Sequence, residues 1–274
     1  MDRRRALTAV GAPFLPVATG ARAQGATLRE LSVIFRVAVD RLLEVPADEL
    51  LRYQSLAEAE LSRAQIQVAS SQYMLVVDRC AWVQAALLFW RSSDGTYGFV
   101  GASPVSTGRP GAFDHFETPA GVFDHTPANP DFRAEGTYNS RRIRGYGVKG
   151  LRVYDFGWQW APKGWGDGVV TTMRLQMHAT DPDSLEPRLG TAQSKGCIRI
   201  AAAFNRFLDH FGVLDAEYER LAKAGKKSAV LRDDRETVAE PGRYLIDVDS
   251  GRSQRPEWSP APRTSGAARR RVLV

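Results

Sequence analysis

The residues best suited to chemistry in this chain are one of its two cysteines, Cys197 in "TAQSKGCIRI" (191–200), and His178, nineteen positions upstream at the end of "VVTTMRLQMHAT". A thiol with a pKa near 8.5 is mostly protonated at neutral pH. It becomes a competent nucleophile when an imidazole takes its proton or a helix N-terminus faces the sulfur. Gly196 keeps the approach to the sulfur open and lets backbone N–H groups face a developing oxyanion. The helical run that starts at about Ile200 puts the cysteine near a helix start. Taken alone the pair carries little, because a lone cysteine is usually a small buried hydrophobe and a lone histidine a satisfied core or surface residue.

The elements that must bring the two together are legible in the spacing. The runs "YMLVVDR", "AWVQAALLFW", "GTYGFVGASPVSTG" and "GVVTTMRLQM" are rich in Val, Leu, Tyr, Phe and Thr and are punctuated by Gly and Asp-Gly, as strands are. Loops rather than helices separate them, which favours a sandwich or curled antiparallel sheet over a parallel α/β fold. His178 falls where a strand gives way to a loop, so only a loop return can carry Cys197 back to it. Ahead of this β domain, Leu28, Leu31, Phe35, Val39 and Leu42 recur at helical spacing, and "PADELLRYQSLAEAELSRA" (46–64) continues with helix formers. Residues 200–225 return to helical spacing, and "GRYLIDVDS" (242–250) offers a late strand. The expected class is mainly β (α+β): a helical segment over 24–69, a β-sandwich-like catalytic domain over 70–250 with a C-terminal helix, and a disordered basic tail from Gly251, where Pro, Ser, Arg and Ala dominate.

Several motifs in order point further. "HAT" (178–180), Gly190 and "SKGCIRI" (194–200) resemble the signature of the L,D-transpeptidase (YkuD-type) family, H-G-T followed by S-H-G-C-[IV]-R. Upstream, "PVSTGRPGAFDHFETPAGVF" (104–123) is similar to the family's V-S-T-G and T-P-x-G-x-F. The resemblance covers roughly Tyr73 to Phe211, about half of the chain. It implies a cysteine acyltransferase that attacks the bond between the third residue and the terminal D-Ala of a peptidoglycan stem, releases D-Ala, and passes the acyl group from a thioester to an amine of a second stem. Cys197 would be the nucleophile and His178 the base, with Ala179 orienting the imidazole through its carbonyl, Gly196 and Cys197 amides in the oxyanion hole, and Ser194 shaping the loop. The substrate side would be served by Arg199, Lys195 and Thr180. Arg199 would bind a carboxylate or brace the loop, a structural ion pair being the competing role. Lys195 stands where the family has His, either as a solvated surface cation or as one that lowers the thiol pKa. Ala179 stands where glycine is common. Two alternatives stay open on the same motifs: an L,D-carboxypeptidase, in which water resolves the thioester, and a catalytically silent peptidoglycan-binding module.

The remaining features bound the reading. The chain has 274 residues, 43% hydrophobic, enough for a large core. Its formal charge of +6 comes from the ends: four Arg against one Asp in the first 23 residues, six Arg against one Glu in 252–274. The stretch between is slightly acidic, which sets nucleic acid aside. "MDRRRALTAVGAPFLPVATGARA" (1–23) has the layout of an export signal cut after Ala23, leaning to the twin-arginine route, and implies a periplasmic protein. No run is long and apolar enough for a membrane span in the mature chain. In an oxidising compartment a Cys80–Cys197 bridge would silence the nucleophile, so Cys80 is expected on or beside a core strand, buried and inert. His115 and His125 each follow an aspartate, but match no metalloprotease spacing, so they read as a loop lining the substrate groove rather than a metal site. No cofactor is called for. "GWGDG" (164–168) lacks the lysine of a phosphate loop, and Trp158, Trp160 and Trp165 read as sugar-stacking or lid residues, or as core plugs.

Overall fold

The computed structural model describes residues 26–262. The N-terminal stretch read as an export signal lies outside them. Helix α1 (Leu28–Ala38) opens on a capping box, in which the Thr27 hydroxyl accepts from the Glu30 N–H and the Glu30 carboxylate accepts from the Thr27 N–H at 2.9 Å. Its apolar stripe turns Leu31 and Phe35 inward. Helix α2 (Ala47–Arg63) starts after Pro46, with Asp48 and Glu49 in the first turn, where the helix dipole favours them, and buries Tyr53, Ala57 and Leu61.

Nine strands follow and form two sheets. Strands β1 (Gln72–Asp78), β2 (Ala85–Arg91), β3 (Tyr97–Pro104), β4 (Gly121–Asp124) and β9 (Tyr244–Val248) make a five-stranded sheet in the order β3-β2-β1-β9-β4. Strands β5 (Phe132–Arg133), β6 (Arg152–Pro162), β7 (Val170–Ala179) and β8 (Ile198–Ile200) make a four-stranded sheet in that order. Pairing is antiparallel except for β1 with β9 and β7 with β8. The class is mixed α and β with strands predominating, and there is no barrel among the described residues. In place of one C-terminal helix there are two, α3 (Ala202–His210) and α4 (Ala216–Lys223), separated by the turn at Gly212, whose φ is +55°.

Alternation along the strands sorts the core. Leu75, Val77 and Leu88 of the first sheet join Tyr154, Phe156, Leu175, Met177 and Ile198 of the second in one cluster, completed by Leu31 and Phe35 of α1 and Phe204 and Phe207 of α3. Phe35 meets Phe204 and Phe207 edge-on with ring centroids 5.5 and 5.0 Å apart. The other face of the first sheet, with Met74, Val76, Leu87 and Ile246, packs on Tyr53, Ala57 and Leu61 of α2. Both N-terminal helices are therefore part of the cores rather than appendages.

Two expectations are corrected here. The stretch from Gly251 does not behave as a disordered tail as far as it is described: Trp258 is buried edge-on against Tyr53, and Arg255 donates to the carbonyls of Ala81, Val83, Ser259 and Gly190. One indole and one multidentate guanidinium supply the contacts that composition could not reveal. The second concerns the residues after Cys197. "IRI" forms strand β8, because its alternating apolar residues fill the space beside β7, and helix α3 begins only at Ala202. Cys197 thus precedes a strand, not a helix start.

Candidate active site

On β7, Met173, Leu175 and Met177 point into the core, so the period of two sends Arg174, Gln176 and His178 to the opposite face. The parallel register of β8 pairs Met177 with Ile198 and His178 with Arg199. One step earlier, Cys197 lies beside Gln176. His178, Gln176, Cys197 and Arg199 therefore share one face of the second sheet, with the cysteine and histidine diagonal neighbours.

The Nδ1–H of His178 donates to the Ala179 carbonyl at 2.6 Å. A carbonyl only accepts, so Nδ1 carries the proton and Nε2 is left as the basic nitrogen. Burial holds the imidazole pKa down to about 4, against the opposing pull of the Ala179 hydrogen bond. The Cys197 thiol is pushed up by burial, partly offset by the Gln176 amide and the Arg199 guanidinium. Both groups are neutral at rest, so the pair is not a preformed thiolate and imidazolium. The sulfur's hydrogen-bond partner is the Arg174 carbonyl, at 3.8 Å.

The loop before Cys197 is closed from inside. Ser194 Oγ, buried, donates to the Cys197 carbonyl at 2.5 Å and accepts from the Gly196 N–H at 3.0 Å. This corrects the expected oxyanion role of Gly196, whose N–H is already occupied; the hydrogen bonds that close the loop leave out the Cys197 N–H. Gly196 has φ +123°, and a Cβ there would meet Met173 Sδ at 2.6 Å, so no larger residue fits without movement.

Two further segments brace the loop. Residues 105–108 run beside it, with Ser106 and Arg199 exchanging N–H to O bonds of 2.9 and 2.8 Å and Ser194 N–H donating to the Thr107 carbonyl at 2.9 Å. Thr118 ties the third segment in: its buried hydroxyl donates to the Gly196 carbonyl at 2.7 Å and accepts from the Gly108 N–H at 2.8 Å.

The residues expected on the substrate side separate. Lys195 is exposed and ion-paired to Asp114. Arg199 is the cation that reaches both Cys197 and His178; its Nη1 donates to the Gln193 carbonyl at 3.3 Å, its buried Nε has no partner, and no carboxylate pairs with it among the described residues. Thr180 is fully buried. This corrects its expected contact with substrate, since the 145–150 loop covers it: a Cβ on Gly147 (φ +82°) would lie 3.1 Å from the Thr180 carbonyl.

That covering loop supplies a residue the sequence did not single out. Tyr146 packs edge-on against the His178 ring, centroids 4.7 Å apart, and its hydroxyl donates to Gln176 Oε1 at 2.9 Å. Gln176 in turn donates to Asp155 at 2.8 Å, which also accepts from Arg174 at 2.8 Å. Gln176 was detectable as the residue two before His178 on the same strand face. Tyr146 had no signal beyond its place in "GYG", and Thr118 lay in a quoted motif without an assigned role.

His125 is not in a groove. It is fully buried, with Nδ1 donating to the Leu214 carbonyl at 2.8 Å and Nε2 to Asp131 at 2.9 Å, under the ring of Tyr218. Burial alone would lower its pKa, but the Asp131 carboxylate leaves it raised. Asp131 also receives buried Arg152, at 2.6 Å, whose other nitrogens grip Asp215 at 2.7 Å. The aspartate that the sequence placed beside His125 is therefore not its partner, and the network is structural. His115, in contrast, lies on the loop before β4 with Nδ1 bonded to the Phe113 carbonyl. Among the described residues, the one grouping of metal-type ligands is Asp78, Cys80 and Asp249, which includes neither histidine; Asp78 already receives the Tyr53 hydroxyl and the Cys80 N–H. Cys80 is buried and free, and Cys197 is free.

No helix among the described residues is long and apolar enough to cross a membrane. Compared with protein-family models and with curated proteins, the chain gives no significant match to either.

Proposed function

We propose that the chain is a cysteine acyltransferase of the L,D-transpeptidase (YkuD-type) kind, exported to the periplasm and acting on peptidoglycan stem peptides through Cys197 and His178. The observation that carries this reading is convergence. The motif segments at 105–108 and 118 and the distant one at 194–199 are hydrogen-bonded to one another around a cysteine that stands beside a tautomer-fixed histidine.

In this reading His178 Nε2 takes the thiol proton as Cys197 Sγ attacks the carbonyl of the third stem residue. The Cys197 N–H is the loop donor left for the oxyanion. Collapse breaks the C–N bond, the proton passes from His178 to the departing amine of D-Ala, and a thioester remains. An amine of a second stem, deprotonated by the same Nε2, then takes the acyl group and restores the thiol. Arg199 is the unpaired cation available for a substrate carboxylate.

Carbapenem acylation followed by intact mass tests the proposal. One adduct on the wild-type chain and none on Cys197→Ala is the expected result; full labelling of Cys197→Ala contradicts it.

A further inference from the structure

The structure continues the catalytic face beyond Cys197. In β6 the register with β7 shifts between Asp155 and Trp158, so that Asp155 opposes Gln176 while Trp158 opposes Arg174 and Trp160 opposes Thr172. This is a β-bulge, with Gly157 at φ +77°. Strict alternation from Tyr154 and Phe156 would send Trp158 and Trp160 into the core; the bulge re-aims them onto the face that carries His178, Gln176 and Cys197. There they stand 66% and 70% exposed, a costly position for two indoles unless something covers them. Between them and the nucleophile lies Arg174, held by Asp155 at 2.8 Å, and Thr172 stands exposed beside Trp160.

We propose that Trp158 and Trp160 form a sugar-binding ledge that holds the glycan strand bearing the stem peptide, an inference that rests on the function proposed above. Two considerations select this occupant. One is chemical: two separate indole faces interleaved with an arginine and a threonine fit a pyranose chain, which has apolar C–H faces and hydroxyls at its edges. The other is reach. Counting two strand spacings from β8 across β7 to β6, and two and four residues along the strands, Trp158 and Trp160 lie about 12 and about 17 Å from Cys197. A carbonyl attacked at the third stem residue is separated from the sugar by three residues, at most about 10 Å of extended chain. The sugar that bears the stem would therefore stand just short of Trp158, and the polymer running on from it would pass over the tryptophans when the scissile bond is at the sulfur.

The test uses the purified chain, its Trp158→Ala, Trp160→Ala and double variants, and two readouts. The first is direct binding of a soluble β-linked N-acetylglucosamine hexamer, followed by indole fluorescence and calorimetry. The second is the ratio of thioester formation with disaccharide-tetrapeptide to that with free tetrapeptide, with carbapenem acylation as the sugar-free control. The expected result is hexamer binding that the double variant loses, a disaccharide advantage reduced at least tenfold, and an unchanged carbapenem rate. No hexamer binding by wild type, or binding and advantage that survive the double substitution, overturns the ledge, as does self-association that the variants abolish without any sugar binding. Tryptophan-dependent hexamer binding in a chain that no carbapenem acylates supports the ledge and counts against the proposed catalysis, so the two failures are distinguishable.

Discussion

The Ala179 carbonyl accepts the Nδ1–H of its own neighbour, His178, at 2.6 Å, and so decides which imidazole nitrogen is free to take a proton. The bond uses backbone alone, which is why alanine serves at this position. Removing the imidazole therefore removes the base this account assigns to Cys197. His178→Ala should slow carbapenem acylation about 10²–10⁴-fold with folding intact, measured by stopped-flow loss of drug absorbance; a rate within threefold of wild type would refute the assignment.

The pH dependence follows from burial. With the imidazole pKa lowered to about 4, His178 stays an unprotonated base throughout the mildly acidic range, and its basicity is lost only as pH falls through that value. The acid limb of the acylation rate should therefore fall near pH 4, not near 6.5. Tyr146→Ala, which uncovers the ring, should move the limb upward towards the ordinary histidine value, while Tyr146→Phe keeps the covering ring and should leave it in place. An acid limb near 6.5 in the wild type would contradict the buried-base account.

Thr118 is a positioning residue. Its hydroxyl bonds to both Gly196 and Gly108, so Thr118→Val strands two buried backbone groups at an expected cost of about 1–3 kcal/mol each. Thermal melting should show the loss, and the acylation rate should fall while Thr118→Ser, which keeps the hydroxyl, recovers most of both. Equal behaviour of the Val and Ser variants would remove Thr118 from the account.

Lys195 gives the opposite expectation. Its ammonium is paired with Asp114 at an exposed site, and such pairs are worth at most about 1 kcal/mol. Lys195→Ala should acylate within a few-fold of wild type. A drop of a hundredfold would assign the lysine a part in the chemistry beyond its exposed ion pair.

The buried network under the second sheet should control stability. Removing one partner of a buried charge pair costs about 3–5 kcal/mol, so Asp131→Asn should lower the melting temperature sharply, by differential scanning calorimetry. The His125 pKa is raised on folding, so its contribution is fully present below the unfolded value and fades as pH rises through the folded one. The Asp131 pKa is lowered, so its contribution is present above the unfolded carboxylate value and fades as pH falls through the folded one. An Asp131→Asn melting point equal to wild type would contradict this placement.

What could be read from the sequence was whatever depends on local period and turn chemistry: the early helices, the strand that carries His178 and the buried Cys80. What could not be read depends on tertiary pairing. "IRI" is three residues long, too short for its alternation to announce a strand, and only β7 beside it makes one. Trp258 and Arg255 lie in a stretch whose composition resembles a linker, and one buried indole outweighs that composition. His125 looked like half of an Asp-His pair, yet its partner, Asp131, sits six positions on. The bulge at Gly157 inverts the parity of Trp158 and Trp160, which no count along the sequence could anticipate.

The most direct measurement is the intact mass of the purified chain quenched in acid during incubation with disaccharide-tetrapeptide, beside Cys197→Ala. The account predicts a transient wild-type adduct equal to the substrate less D-Ala, mapped to Cys197 and absent from the variant. Neither adduct nor D-Ala release from wild type, or the same adduct on Cys197→Ala, would contradict it.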